Sequence, residues 1–169
     1  RISAMGTVRP KQEIHLKPQV TGEIVAMSNE FLPGGFFRVG DMLLQVDDTD
    51  YSLAVKQLES EVAKVEAELL LEQGNQLVSQ KEFELLGESV SDEEKSLMLR
   101  QPQLESLRAN LSAAKARLEQ AQVNLQRAEI RAPFNAIVVS RDVNLGSRVT
   151  TGSELALLEA LTHEVRTPL

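Results

Sequence analysis

Three carboxylates crowd the segment Asp47-Asp48-Thr49-Asp50, and clustered oxygens of this kind could hold a hard divalent cation. The segment lacks the interior glycine and the closing glutamate of an EF-hand loop, so capping of a following helix explains it more simply. His15 and His163 are the two histidines. Neither has a cysteine or a paired carboxylate at ligand spacing, and no serine, base and orienting acid fall into register around them. Cysteine is absent, which removes thiolate metal sites, thiol nucleophiles and disulfides. The expectation is therefore a protein that is not an enzyme and has no metal site and no cofactor. A formal net charge of -7, from 25 acidic and 18 basic residues, also argues against nucleic acid as a partner, because phosphate counterion release needs a basic face.

The elements that would hold such residues are of two kinds. Hydrophobic residues make up 42% of the 169, yet aromatics are only 4% and tryptophan is absent, a balance that suits Leu/Ala helix packing. One short strand is expected within residues 8–20, where Ile14 and Leu16 alternate with polar neighbours between Pro10 and Pro18. A second, over 20–27, places Val20, Ile24 and Ala26 on one face, with Gly22 allowing close approach. Pro33-Gly34-Gly35 and Gly40-Asp41 mark turns, and Phe37, Val39 and residues 42–46 complete a small β unit.

Helical periodicity then takes over. Tyr51, Val55, Leu58, Val62, Val65 and Leu69 recur at alternating steps of four and three, the spacing of a coiled-coil seam. Gly74 and Asn75 weaken the beat, and Leu77, Phe83, Leu85 and Leu86 carry the helix on. A return limb keeps the same rhythm through Leu104, Leu107, Leu111, Ala114, Leu118, Ala121, Leu125 and Ala128. Between the limbs, Gly87 can end a helix and Ser91-Asp92-Glu93-Glu94 has capping-box spacing. Pro102 is expected to kink the return limb. Limbs of about 30–35 residues would run about 45–50 Å at 1.5 Å per residue.

After the helices, the β text resumes and repeats itself. Gly34, Phe37, Gly40 and Leu43 overlay on Gly146, Val149, Gly152 and Leu155, and Gly22-Glu23-Ile24-Val25 overlays on Ala136-Ile137-Val138-Val139. Each half is too small to bury a core alone, so the two are expected to close on one another around an inserted helical pair. The fold class is α+β: a small split β-sandwich with a long antiparallel α-helical coiled-coil hairpin inserted. Residues 1–50 form the first β half with a preceding strand, 51–130 the hairpin with its tip at about 86–92, and 131–158 the second β half.

With these pieces in order, the chain resembles the periplasmic adaptor proteins, or membrane fusion proteins, of efflux pumps and type I secretion systems (HlyD-like). The likeness is carried by KPQVTGEI, by GGFFRVGDMLLQVDDTDY leading into a helix, and by LEQAQVNLQRAEIRAPF followed by GSRVTTGSEL. It implies that the β unit is lipoyl-like, with turns at Gly22, Gly34, Gly40, Gly146 and Gly152, and that residues 159–169 begin a further β-barrel. It also implies a location in the periplasm, anchored to the inner membrane through segments outside this chain. The implied partners are an inner-membrane transporter, an outer-membrane channel and further copies of the chain in a ring, a trimer or hexamer. Leu86, Ser89, Val90 and Ser91 would meet the channel at the hairpin tip, although Glu82 stands where family members that dock on the common channel carry arginine. True lipoyl carriers present a lysine at the junction of the two halves. Here the helices occupy that junction, and Lys11, Lys17, Lys56 and Lys64 all lie elsewhere. Arg1-Ile2-Ser3 is not a natural start, so the sequence is expected to be a portion of a longer protein. No apolar run approaches the roughly 20 residues a membrane helix needs.

A second resemblance is local. LTHEVRTPL, residues 161–169, is similar to the phosphoacceptor box of sensor histidine kinases, which would make His163 the phosphorylated residue. That reading needs a two-helix dimerisation domain and a glycine-rich ATP-binding domain around the box.

Overall fold

The computed structural model describes residues 12–87 and 89–161. Strands β1 (Glu13–Leu16), β2 (Gly22–Met27), β3 (Phe36–Phe37) and β4 (Met42–Val46) precede three helices: α1 (Thr49–Leu86), α2 (Asp92–Met98) and α3 (Gln101–Arg127). Strands β5 (Glu129–Arg131), β6 (Ala136–Arg141), β7 (Arg148–Val149) and β8 (Ala156–Ala160) follow. The chain divides into two compact units. One holds the described residues up to Thr49 and from Asn124 onward, the other Asp50–Val123.

The β unit contains two four-stranded sheets, ordered β1-β8-β6-β3 and β5-β4-β2-β7, with every pairing antiparallel. The internal repeat is visible in their registers. Ile24 faces Val46 with a bulge before Ala26, and Val138 faces Leu158 with a bulge before Ser140. Gly34 N–H donates to the Val138 carbonyl at 2.7 Å, and its counterpart Gly146 N–H donates to that of Ile24 at 2.8 Å. Both glycines adopt a left-handed backbone, φ 87° and 88°, which a side chain would strain.

The halves do not stack as separate layers; they exchange strands. Phe37 pairs with Ala136, and Val149 with Gly22, so β3 closes the sheet of β6 and β8 while β7 closes that of β2 and β4. Strands β1 and β5 cross over in the same way. Each sheet therefore takes two strands from either end of the chain, and neither end can complete one alone. The shared core is dry: Ile24, Leu43, Leu44, Val46, Leu155 and Leu158 are 0% exposed and Val138 and Val149 1%. Phe31 and Phe37 meet in a tilted ring pair, centroids 6.2 Å apart.

Chain exit and re-entry follow from the β4–β5 ladder. Gln45 faces Glu129, and Val46 N–H donates to the Ala128 carbonyl at 2.7 Å, so the helical segment leaves and returns on adjacent strands. Four expectations need correction. The return of β structure begins at Glu129, not at 131, because residues 129–131 complete the β4 edge. Val39 lies in the turn with Gly40, outside any strand, and is 64% exposed. Gly22 is not a turn residue: it opens β2, and a Cβ there would lie 2.5 Å from Val46 Cγ1. Pro102 does not kink a helix, since α3 begins one residue earlier and the missing amide falls in its first turn.

Candidate functional site

The helical unit carries the residues that sequence spacing put forward for partner contact, and its construction begins at Asp47. Asp47 Oδ1 accepts from the Thr49 hydroxyl at 2.7 Å and the Thr49 amide at 3.1 Å, bonds that together hold its carboxyl below the usual aspartate range. The acidic trio thus starts α1, and no group of three metal-ligating side chains occurs among the described residues.

Along α1 the seam positions Val55 and Val62 are buried, with Leu58, Val65 and Leu69 half-buried; on α3 Leu104, Ala114 and Ala121 are buried, with Leu107, Leu111 and Leu118 half-buried. Leu125, half-buried too, belongs to the β unit's share of α3. Among the described residues two ion pairs cross between the limbs, Glu61 with Arg117 and Glu72 with Arg100. Their numbers rise on one limb as they fall on the other, the order of antiparallel neighbours.

Beyond Leu69 the helix runs on to Leu86, as expected. Leu77, Leu85 and Leu86 are 60%, 86% and 62% exposed and take no part in the seam. The four-and-three count continues through Glu72, Gln76 and Ser79 to Phe83, so the seam is polar between Leu69 and Phe83. Glu72 is 7% exposed, and Arg100 clasps it with both arms: Nε donates to Oε1 at 2.6 Å and Nη2 to Oε2 at 3.2 Å. The guanidinium's hydrogen bonds hold the Glu72 carboxyl below its ordinary range against the opposing effect of burial, with a further bond from Asn75. The same contacts raise the Arg100 pKa. Arg100 has φ 60°, a left-handed conformation held between α2 and α3. A reading for apolar letters alone misses this pair, but counting three on from Leu69 and four back from Leu104 lands on Glu72 and Arg100.

At the turn between limbs, Gly87 with φ 58° ends α1, and its amide donates to the Phe83 carbonyl. Ser91 caps α2: its Oγ accepts from the Glu94 amide at 3.3 Å, and Asp92, Glu93 and Glu94 fill the acid-favouring first turn. Lys95 Nζ stands 5.5 Å from the Phe83 ring centroid, tying α2 to α1. Leu86, Ser89 and Ser91 are exposed, whereas Val90 is half-buried.

A further surface went unread in the sequence. About half a turn round α1 from the seam, Leu70, Leu71, Leu77 and Val78 are 70%, 71%, 60% and 58% exposed, in line with exposed Ala63, Ala67 and Gly74. On α3 the side opposite its seam presents the small exposed residues Ser106, Ala109, Ala113 and Ala116.

Elsewhere, His15 is an exposed strand residue with Nδ1 3.1 Å from Glu154 Oε1. His163, the candidate phosphoacceptor, lies outside the described residues. Among the lipoyl-like turns, Gly40 shares the left-handed backbone of Gly34 and Gly146, while Gly152 does not. No helix among the described residues is long and apolar enough to cross a membrane.

Comparison with known proteins agrees with this architecture. The family model for the CzcB-like, barrel-sandwich hybrid domain matches residues 12–159. The multidrug resistance protein MdtA of Pectobacterium atrosepticum is 25% identical over 161 residues, covering 89% of this chain and 35% of its own length. The chain thus spans about a third of the length of such relatives. A MacA–MexA chimera containing the Pseudomonas aeruginosa MexA α-hairpin domain superposes with TM-score 0.65 at 20% identity, covering 90% of this chain and 49% of the chimera. The periplasmic adaptor protein EmrA gives TM-score 0.62 at 15% identity, over 89% and 72%. With its interleaved β unit, its helices between β4 and β5, and a family match over nearly its whole described length, the chain belongs to the membrane fusion, or periplasmic adaptor, proteins with a CzcB-like barrel-sandwich hybrid domain.

Proposed function

We propose that this chain is the lipoyl-like and helical-hairpin portion of a periplasmic adaptor that links an inner-membrane transporter to an outer-membrane channel in a tripartite efflux or secretion system. Its role is mechanical. The β unit contributes to a ring, the hairpins stand side by side as a tube, and Leu86, Ser89 and Ser91 meet the channel at the tip.

The observation that carries the reading is the exposed apolar row on α1. Leucines so exposed on the side away from the seam have no use in an isolated pair of helices, and contiguous apolar surface of this kind marks a protein contact. The small row on α3 offers the complementary shape, because Ser106, Ala109 and Ala113 let a neighbouring helix approach closely. The two rows lie on opposite sides of the helical pair, so the contact is heterologous, α1 of one copy against α3 of the next, and such contacts form a ring where the rotation between copies closes.

The test of the channel contact is export. Leu86→Glu combined with Ser91→Lys in the full-length protein is expected to abolish drug resistance or substrate export at normal protein levels. Unchanged export would remove the tip from the mechanism.

A further inference from the structure

Strands β1 and β5 are the outer strands of the two sheets, and a groove of about 530 Å³ runs between them. Its walls are residues 14–19 on the β1 side and Arg127, Glu129, Ile130, Arg131 and Pro133 on the β5 side. Two features of these walls point to a ligand.

The first is backbone left unpaired among the described residues. The Gln12 and Leu16 carbonyls accept from Ala160 and Leu155, so the even positions of β1 are spent on β8. Antiparallel alternation turns the amides and carbonyls of Glu13, His15 and Lys17 the other way. Likewise the Ala128 carbonyl accepts from Val46, while Ala132 bonds Asp41 and Gly40, leaving Glu129 and Arg131 turned away from β4. Two open edges therefore border one groove, related by the internal repeat that maps Lys17 onto Arg131 and His15 onto Glu129.

The second is charge. In a chain of net charge -7 the groove collects His15, Lys17, Arg127 and Arg131 against Glu129. Glu154 is paired with His15 and Glu129 with Arg131, so Lys17 and Arg127 are the groove cations without an acidic partner at salt-bridge distance among the described residues. Lys17 on one wall and Arg127 on the other place like charge across the groove, which opposes closure of the two edges on each other. It favours an extended strand carrying acidic side chains.

We infer that the groove between β1 and β5 is a strand-addition site for an extended acidic peptide segment of a partner protein, with backbone hydrogen bonds to the two open edges and carboxylates on Lys17 and Arg127. The site lies wholly within the β unit and stands independently of the tip and hairpin contacts proposed above.

The probe is a fluorescein-labelled hexapeptide of alternating valine and glutamate, titrated into the protein by anisotropy. Two controls accompany it: the valine–lysine peptide, and the valine–glutamate peptide N-methylated at alternate amides. Binding of the acidic peptide is expected, with at least a tenfold loss on N-methylation, at least a tenfold loss in Lys17→Glu/Arg127→Glu, and none by the lysine peptide. Both substituted residues are exposed, and circular dichroism confirms that the variant is folded. In amide NMR the parent protein should shift at Glu13, His15, Lys17, Glu129 and Arg131. Equal binding of the N-methylated peptide would show charge attraction without strand addition and overturn the proposal. So would no binding up to about millimolar peptide, or shifts confined to the helices.

Discussion

Replacing Ile24 by alanine tests whether the two ends of the chain form one cooperative body. Ile24 is 0% exposed on β2, and the substitution deletes three buried carbons. At ~0.8 kcal/mol per buried methylene the transfer loss is about 2.4 kcal/mol, and the residual cavity brings the expected cost to about 3 kcal/mol. Because β2 pairs with β7 and β4, and β6 with β3 and β8, that cost cannot stay in the N-terminal strands. Hydrogen-exchange mass spectrometry should show β6 and β8 losing the same protection as β2 and β4, an acceleration of about 150-fold for amides that exchange through global opening of the unit. Acceleration confined to residues 22–46, with 136–160 exchanging as in the parent, would refute the interleaving argument. It would mean that each half carries its own stability.

Two further outcomes follow from local geometry. Gly35→Ala would place a Cβ 1.8 Å from the Glu30 carbonyl oxygen, so the backbone must move and about 2–4 kcal/mol should be lost in urea unfolding, whereas Gly152→Ala meets nothing within 4 Å and should change stability by under about 0.5 kcal/mol. The pairing of Glu72 predicts an acid-sensitive distal hairpin. Its carboxyl titrates below the ordinary value in the folded state, so its contribution is present above the unfolded-state pKa of about 4.3 and is lost as pH falls through the lower folded pKa. In thermal melts followed by helical circular dichroism, Glu72→Gln should destabilise the protein at pH 7 and flatten the acid limb of the stability profile. An acid limb as steep as the parent's would contradict that role.

Much of the β unit was legible because its signals are local and repeated. Gly34 and Gly146 occupy the same left-handed turn, and the pairs Leu43/Leu155 and Ile24/Val138 are buried in equivalent places, so an overlay of letters found real equivalences. Strand exchange was not legible, since β3 and β7 are two residues long and their partners lie about a hundred residues away. On the helices, the leucine and alanine beat marked the proximal seam. The outer face of Leu70, Leu71, Leu77 and Val78 was not legible, because an apolar residue there looks the same in a one-letter string as one in a seam. Glu72 was hidden for the converse reason: a buried carboxylate is identified by its partner, and Arg100 reaches it from the turn between α2 and α3 through a left-handed backbone that no residue type announces.

The account rests most heavily on the outer faces of α1 and α3 meeting between copies, and the lack of cysteine in this chain makes that contact directly measurable. Ala67→Cys and Ala109→Cys, both exposed and at matching levels of the antiparallel pair, should be introduced singly and together into the protein expressed in cells. Under mild oxidation the double variant is predicted to give a ladder of disulfide-linked multimers, and the two single variants co-expressed to give a cross-linked dimer that neither forms alone. Dimers from Ala67→Cys alone, or no cross-link in any combination, would contradict the heterologous side-by-side assembly.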